Sequence, residues 1–250
     1  MSASCVALQP GPYANLLDFL TARFPHVARA LWIARLQDGK VFNESGSPIG
    51  IDDALHLPFT GRGKIYYFRE TGFEAPIRVQ ERVVFEDDCL LVIDKPSGLP
   101  VIPSGHYLQE TVLVRQKRRL GLNTLVPIHR IDRDTCGLVM FCLQAKHRSA
   151  YSALFSQRQV SKIYEAIAPF RVDLQFPLKR HTRIAAGRHF MLQQEVAGEP
   201  NALTQIDLIE HQRRLARYRL QPSSGRRHQL RVHMMALGIP ILNDGLYPVL

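Results

Sequence analysis

Six consecutive residues, His129-Arg130-Ile131-Asp132-Arg133-Asp134, bring together an imidazole, two guanidiniums and two carboxylates. The chain then passes through Thr135-Cys136-Gly137 into Leu138-Val139-Met140-Phe141-Cys142-Leu143, an apolar run of strand length bounded by a glycine. Ionised groups avoid the interior unless they are paired or used, so charge packed directly before a buried strand calls for a reason. An ionised carboxylate can attack an electrophile or take a proton. In extended backbone Asp132 and Asp134, two residues apart, share a face. A carboxylate pair could also work as acid and base on a glycosidic bond, but groups this local are too close to flank a substrate. The plainer reading is a solvated turn closed by local ion pairs.

Other residues extend the list. Gln159 to Ala168 alternates like a strand, with Lys162, Tyr164 and Ala166 on one face and Ile163, Glu165 and Ile167 on the other. A tyrosine and a lysine on one face suit a ring platform and a phosphate contact, or a half-buried edge position. Ser224 to Gly238 reads as a helix opened by Ser224 or Gly225 and closed by Gly238. Within it Arg227 and Arg231 lie one turn apart and reach the same side, where a guanidinium can pair with a buried carboxylate or grip a phosphate. His228 and His233 are five apart, the wrong spacing for two ligands on one helix face, and read as structural or RNA-facing. Lys179-Arg180-His181-Thr182-Arg183 and Gly187-Arg188-His189 suit a phosphate backbone or a solvated loop.

These groups must be positioned by a folded chain, and 250 residues suffice for a full core in one or two domains. The net charge of +10 and a pI of about 9.8 suit a polyanionic partner. The cysteines Cys5, Cys89, Cys136 and Cys142 form no CxxC pair, so no zinc site is expected and the thiols read as reduced and cytoplasmic. The sequence has no basic-then-apolar leader pattern at Met1 to Gly11 and no apolar run approaching ~20 residues, so neither a secretory signal nor a membrane span is expected.

Asn15–Phe24 and Val27–Leu36 read as two helices, followed by a short strand at Lys40-Val41-Phe42. Glu70 to Pro76 reads as a linker, which places a domain boundary near residue 75. Beyond it, Val83-Val84-Phe85 and Leu90-Leu91-Val92-Ile93 read as strands. The loop Asp94-Lys95-Pro96-Ser97-Gly98-Leu99-Pro100 follows directly on the second, where sites often lie. Its prolines and Gly98 read as structural, with the role of Lys95 left open. Glu110–Leu120 reads as a helix with a basic C-terminal half, and His147–Phe155 as another. Leu203–Glu210 and Arg217–Gln221 read as strands.

Four motifs in register resemble the RluA-type pseudouridine synthases over residues 81–247. They are Glu86-Asp87 through Asp94-Lys95-Pro96-Ser97-Gly98-Leu99, His129 through Thr135, Lys162-Ile163-Tyr164-Glu165-Ala166, and Gly225 through Arg231 continuing to Asn243-Asp244. The resemblance implies an α+β fold, in which a mixed, mainly antiparallel sheet with flanking helices carries an RNA cleft in residues 76–250. It implies Asp132 as the catalytic aspartate, Tyr164 as the base-stacking tyrosine, and Arg231 as the arginine paired with the aspartate. Arg130, Arg133, Lys162, Arg227 and His228 are expected to contact RNA. The expected substrate is a uridine in structured RNA, ribosomal or transfer, unstacked into the pocket. No cofactor or metal, no membrane and a monomer are expected. Residues 1–75 are expected to form a small α/β domain, and their helix–helix–strand order resembles the alpha-L RNA-binding motif. Two positions depart from the pattern, Cys136 for a serine or threonine and Asn243 for a glycine. The chain also stops sooner after Tyr247 than members of the family do, which implies either a shortened C-terminal end or an incomplete chain. The rival from another class is an RNA-binding or assembly protein that keeps the fold without turnover.

Overall fold

The computed structural model describes residues 3–25, 27–68, 74–105, 107–187 and 191–247. Arg188 and His189 of the basic stretch, residues 70–73 of the expected linker and the last three residues lie outside them. The chain divides into two compact units, Met1–Phe73 and Glu74–Leu250.

The smaller unit runs β1 (Ser4–Ala7), α1 (Leu16–Arg23), α2 (Arg29–Gln37), β2 (Val41–Phe42), α3 (Ile51–His56) and β3 (Lys64–Tyr67). Its antiparallel sheet has the order β1-β3-β2. Asn15 caps α1 by accepting the Asp18 N–H at 2.9 Å. Leu17, Phe19 and Leu20 of α1 meet Trp32 and Leu36 of α2 in a core closed by Val41, Ile65 and Tyr67. Both expected helices are present, each slightly shifted, whereas β1, α3 and β3 have no counterpart in the sequence reading. They are four, six and four residues long, too short to display a period.

The larger unit holds two sheets. β4 (Arg82–Glu86), β5 (Leu90–Lys95), β6 (Val126–Pro127) and β7 (Gly137–Cys142) form the first, in the order β4-β5-β7-β6. Helix α4 (Val112–Leu120) lies between β5 and β6 in the chain, and α5 (Arg148–Ser156) follows β7. The second sheet comprises β8 (Tyr164–Pro169), β9 (Leu178–Ala186), β10 (Gln193–Val196), β11 (Ala202–Gln212) and β12 (Leu215–Pro222), in the order β10-β9-β11-β12-β8. Helix α6 (Gln229–Ala236) packs on β9, β10 and β11. Described strands pair antiparallel throughout, and the fold is α+β with mainly antiparallel sheets flanked by helices.

Alternation sets each core. Leu91 and Ile93 of β5 face Phe141 and Val139 of β7, all fully buried. Ala166, Ala168, Tyr218 and Leu220 of β8 and β12 cover Met234 and Leu237 below. The basic stretch Lys179–Arg183 is neither a loop nor uniformly exposed, since it lies within β9. Lys179, His181 and Arg183 point to solvent, while Arg180 turns the other way and pairs with Glu195 of β10 at 2.5 and 2.9 Å.

Candidate active site

Asp132 sits on the loop that enters β7, and that loop is bound to the one leaving β5. The strand register brings Lys95 opposite Gly137. Gly137 has φ +120°, a backbone conformation that favours glycine, and here the loop turns into the strand. Lys95 continues the inward series Leu91, Ile93, so its side chain enters the core and is fully buried. There its ammonium donates to the carbonyls of Pro96, Leu99 and Arg133, each at 2.8 Å. Three acceptors for three donors satisfy a cation that burial would otherwise expel. Burial pushes its pKa down to about 8, opposed by the nearby Cys136, Asp134 and Asp132. The Arg133 carbonyl also accepts the Gly98 N–H at 2.9 Å, and Ser97 donates to the Asp134 carbonyl at 2.8 Å. Lys95, open in the sequence, is therefore the clamp that fixes the backbone around Asp132.

The two aspartates do not share a face. Asp134 is exposed and pairs with its neighbour Arg133 at 2.9 Å, whereas the Asp132 side chain is only 28% exposed and turns to α6. The loop is not extended here, because the Thr135 N–H returns to the Asp132 carbonyl at 3.2 Å.

Helix α6 begins at Gln229 and not at Ser224 or Gly225. Gln229 is buried and replaces the missing turn. Its carbonyl oxygen accepts from the Ser224 hydroxyl at 2.7 Å and the Arg226 N–H at 3.1 Å, and its amide donates to the Leu203 carbonyl at 3.0 Å and Thr204 Oγ1 at 2.9 Å. The segment before it is a tight loop ending in His228, whose φ is +55°. Arg227 therefore precedes the helix, so the one-turn spacing to Arg231 does not apply, and its guanidinium reaches the Met191 carbonyl at 3.1 Å.

Arg231 bridges two carboxylates. Nη1 donates to Asp132 Oδ2 at 2.8 Å, while Nε and Nη2 each donate to Asp244 at 2.6 Å. Its guanidinium also lies 5.0 Å from the Tyr247 ring centre. Burial alone would lower the Arg231 pKa, but the bonds to Asp244 and Asp132 outweigh it and raise it. Asp244 is likewise pushed up by burial, yet Arg231 and the N–H groups of Leu246 and Tyr247 hold it below the usual carboxylate range. His228, expected to face RNA, is nearly covered. Its Nδ1 lies 2.8 Å from the Tyr247 hydroxyl and its Nε2 3.9 Å from Asp132 Oδ1. His233 is a core residue, held by Thr204 at 2.9 Å and Thr182 at 3.1 Å.

Tyr164 opens β8, half-buried, and its phenol is pushed up by burial and then by the Asp132 charge. Lys162 lies ahead of the strand, not in it, and donates to the Ser224 carbonyl at 2.8 Å. Burial and Arg158 both push its pKa down. Phe155, Arg158, Gln159, Lys162, Gln221 and Ser223 border a cavity of about 310 Å³ that no carboxylate side chain lines. The His129 ring stacks on Phe155 at 4.9 Å and accepts the Met140 N–H at 3.2 Å. Burial and Lys162 push its pKa down to about 4, so it is neutral. Arg130 and Arg133 are exposed beside it. Among the described residues no group of three or more His, Cys, Asp or Glu is placed to hold a metal ion, and no helix is long and apolar enough to cross a membrane.

A family model described as RNA pseudouridylate synthase matches residues 89–236, which include Asp132, Tyr164 and Arg231. The chain belongs to this family. It is 30% identical over 237 residues to an uncharacterized RNA pseudouridine synthase of Synechocystis, covering 93% of this chain and 79% of that one. It is 35% identical over 172 residues to the mitochondrial tRNA pseudouridine(32) synthase of Saccharomyces cerevisiae, covering 66% of this chain and 37% of the yeast protein. Human RNA Pseudouridylate Synthase Domain Containing 1 shares the fold, with a TM-score of 0.59, 21% identity, and coverage of 70% of this chain and 73% of that one. The family's reaction isomerises uridine in RNA to pseudouridine, so the partner of this synthase is RNA.

The geometry adds three residues to this synthase's site that sequence reasoning did not single out. Asp244 stands in a motif that was recognised, but nothing local announces that it grips Arg231. Tyr247 and Gln193 meet His228 only through the fold, the N–H of Gln193 donating to the Tyr247 hydroxyl at 2.8 Å. The inward position of Lys95 was legible, since it continues the Leu91–Ile93 alternation.

Proposed function

We propose that this synthase acts on specific uridines in structured RNA, transfer or ribosomal, with Asp132 as its catalytic carboxylate. The observation that carries this is the division of Asp132 itself. Arg231 occupies Oδ2 at 2.8 Å and leaves Oδ1 open, on a loop that Lys95 holds rigid. Oδ1 is the oxygen left to meet a substrate, where a carboxylate can act as a base or a nucleophile.

The isomerisation breaks the bond from the ribose C1′ to N1, turns the base, and joins C1′ to C5. The C5 proton leaves and N1 gains one, so atoms and electrons balance without an oxidant, a reductant or water. Asp132 can begin this by attacking the base or by taking a proton from the ribose. Tyr164, whose phenol senses the Asp132 charge, is the residue that stacks on the base and assists loss of the C5 proton in this reading. Arg158 and Lys162, on a cavity lined by no acid, supply charge for the phosphates beside an unstacked nucleotide. The α1-α2-β2 order of the smaller unit supports a second RNA contact there. Removing residues 1–73 is expected to raise KM more than it lowers kcat.

The test is pseudouridine mapping on RNA from cells lacking the protein, cells with it restored, and cells carrying Asp132→Ala. Sites that vanish, return with the wild type and stay absent with the variant establish the reading and name the uridine. If every site persists in all three while the purified protein still binds RNA, a binding protein without turnover takes its place.

A further inference from the structure

We infer that His228 is locked as the Nε2–H tautomer and is a positioning residue, donating toward the Asp132 oxygen that Arg231 leaves free. The inference rests on the reading of Asp132 as the catalytic carboxylate, but its first test does not.

Three atoms decide the tautomer. The Gln193 backbone N–H can only donate, and it donates to the Tyr247 hydroxyl oxygen at 2.8 Å. A phenol oxygen conjugated with its ring has one good acceptor direction, so that bond fills it. The remaining possibility for the hydroxyl is to donate, and its neighbour is His228 Nδ1 at 2.8 Å. Nδ1 is then the acceptor nitrogen, and a neutral imidazole must carry its proton on Nε2. Burial favours that neutral ring, against the pull of Asp132. The opposite tautomer would set two hydrogens against each other at Tyr247 and a nitrogen lone pair against the carboxylate.

Nε2 stands 3.9 Å from Asp132 Oδ1, about 0.7 Å beyond the hydrogen-bonding range, and the role of His228 requires that gap to close when a base is bound. With Arg231 on Oδ2 and His228 on Oδ1, the carboxylate can no longer rotate about its Cβ–Cγ bond. One lone pair of Oδ1 is left for the substrate in either route. The backbone supports the assignment. His228 holds φ +55°, a conformation that non-glycine residues rarely adopt, and the side-chain bonds of Gln229 enforce it. Strain of this kind persists where surrounding structure over-determines it, often at functional sites. The chain Gln193–Tyr247–His228–Asp132 therefore carries orientation from a strand edge of the second sheet to the carboxylate.

The first experiment is long-range 15N–1H correlation on the whole protein labelled at histidine, assigned with His228→Gln. The expected spectrum at neutral pH shows His228 with Nδ1 unprotonated and Nε2 protonated. An Nδ1–H or doubly protonated ring overturns the inference whether or not the protein turns over. The second experiment compares His228→Gln with His228→Asn on an RNA shown to be modified. The Gln amide mimics Nε2–H and is expected to keep kcat within about tenfold. Asn reaches only where Nδ1 was and is expected to lose on the order of 10²-fold in kcat, with KM little changed. Asn tolerates positive φ better than Gln, so equal or better activity of the Asn variant means that only the backbone matters and overturns the role. Tyr247→Phe is expected to mix the two tautomers in the spectrum, and an unchanged spectrum overturns the relay. Absence of pseudouridine formation by the wild type refutes the proposed function and leaves the tautomer result standing by itself.

Discussion

Asp244 accepts from Arg231 with both carboxylate oxygens at 2.6 Å, and its side chain is 4% exposed. Asp132 accepts from the same guanidinium once, at 2.8 Å, and is 28% exposed. One carboxylate anchors the arginine and the other is presented by it. Asp244→Asn leaves a buried guanidinium short of its charge partner and is expected to cost roughly 3–5 kcal/mol. Asp132→Asn keeps the anchor and is expected to cost about 1 kcal/mol. Urea denaturation of both variants checks the order, which the reverse ranking refutes.

Lys95→Met keeps the length of the buried stem and removes the donor. The carbonyls of Pro96, Leu99 and Arg133 then lose a partner each. The expected loss is about 1–3 kcal/mol, chiefly from the buried Leu99 carbonyl, since the Arg133 carbonyl keeps the Gly98 N–H. A loosened Asp132 loop is also expected to lower kcat more than it raises KM, and stability unchanged within error rules out the clamp.

Two histidines, one buried and one partly so, set an acid limit on stability. The pKa values of His129 and His233 are each pushed by burial from 6.5 down to about 4. Between those values the unfolded chain binds more protons than the folded one, so stability falls as pH falls. The contribution is fully present above pH 6.5 and lost on passing about 4, at most roughly 3 kcal/mol per residue. Denaturation at pH 7 and at pH 4.5 is expected to show most of that loss, and a flat profile across the window refutes it.

Arg158→Gln and Lys162→Gln remove charge from the acid-free cavity. Each is expected to weaken RNA binding uniformly and to reduce the slope of log affinity against log salt by about 1. Arg217→Gln, on an arginine ion-paired with Glu165 and Glu210, serves as the comparison and is expected to change the slope less. Equal slopes in all three refute the phosphate contact.

Local pattern was enough wherever one strand or one helix explains itself. The inward series of β5, the alternation of Tyr164 and Ala166, and the charged entry to β7 were all readable. Failures follow from bonds, local or distant, that no periodicity displays. Ser224 and Gly225 suit a helix opener, but the side chain of Gln229 bonds Ser224 and Arg226 and spends the donors and acceptors a first helical turn would need. Asp134 has the same spacing as a strand neighbour of Asp132, yet the turn closed by the Thr135 N–H sends it to solvent. The basic run in β9 reads as one patch in sequence and splits by alternation into solvent-facing cations and an arginine committed to Glu195. Asp132 and Arg231 stand 99 residues apart, a pairing no periodicity contains.

Arg231 and Asp244 belong to the second half of the larger unit, while Asp132 belongs to the first. A ribosome reading from the N-terminus completes the first sheet long before the arginine exists. Until α6 and the Asp244 turn have emerged and docked, Asp132 is an ordinary surface carboxylate at the mouth of a basic loop. The pairing that orients Asp132 is therefore made only after a further 99 residues have followed it out of the ribosome.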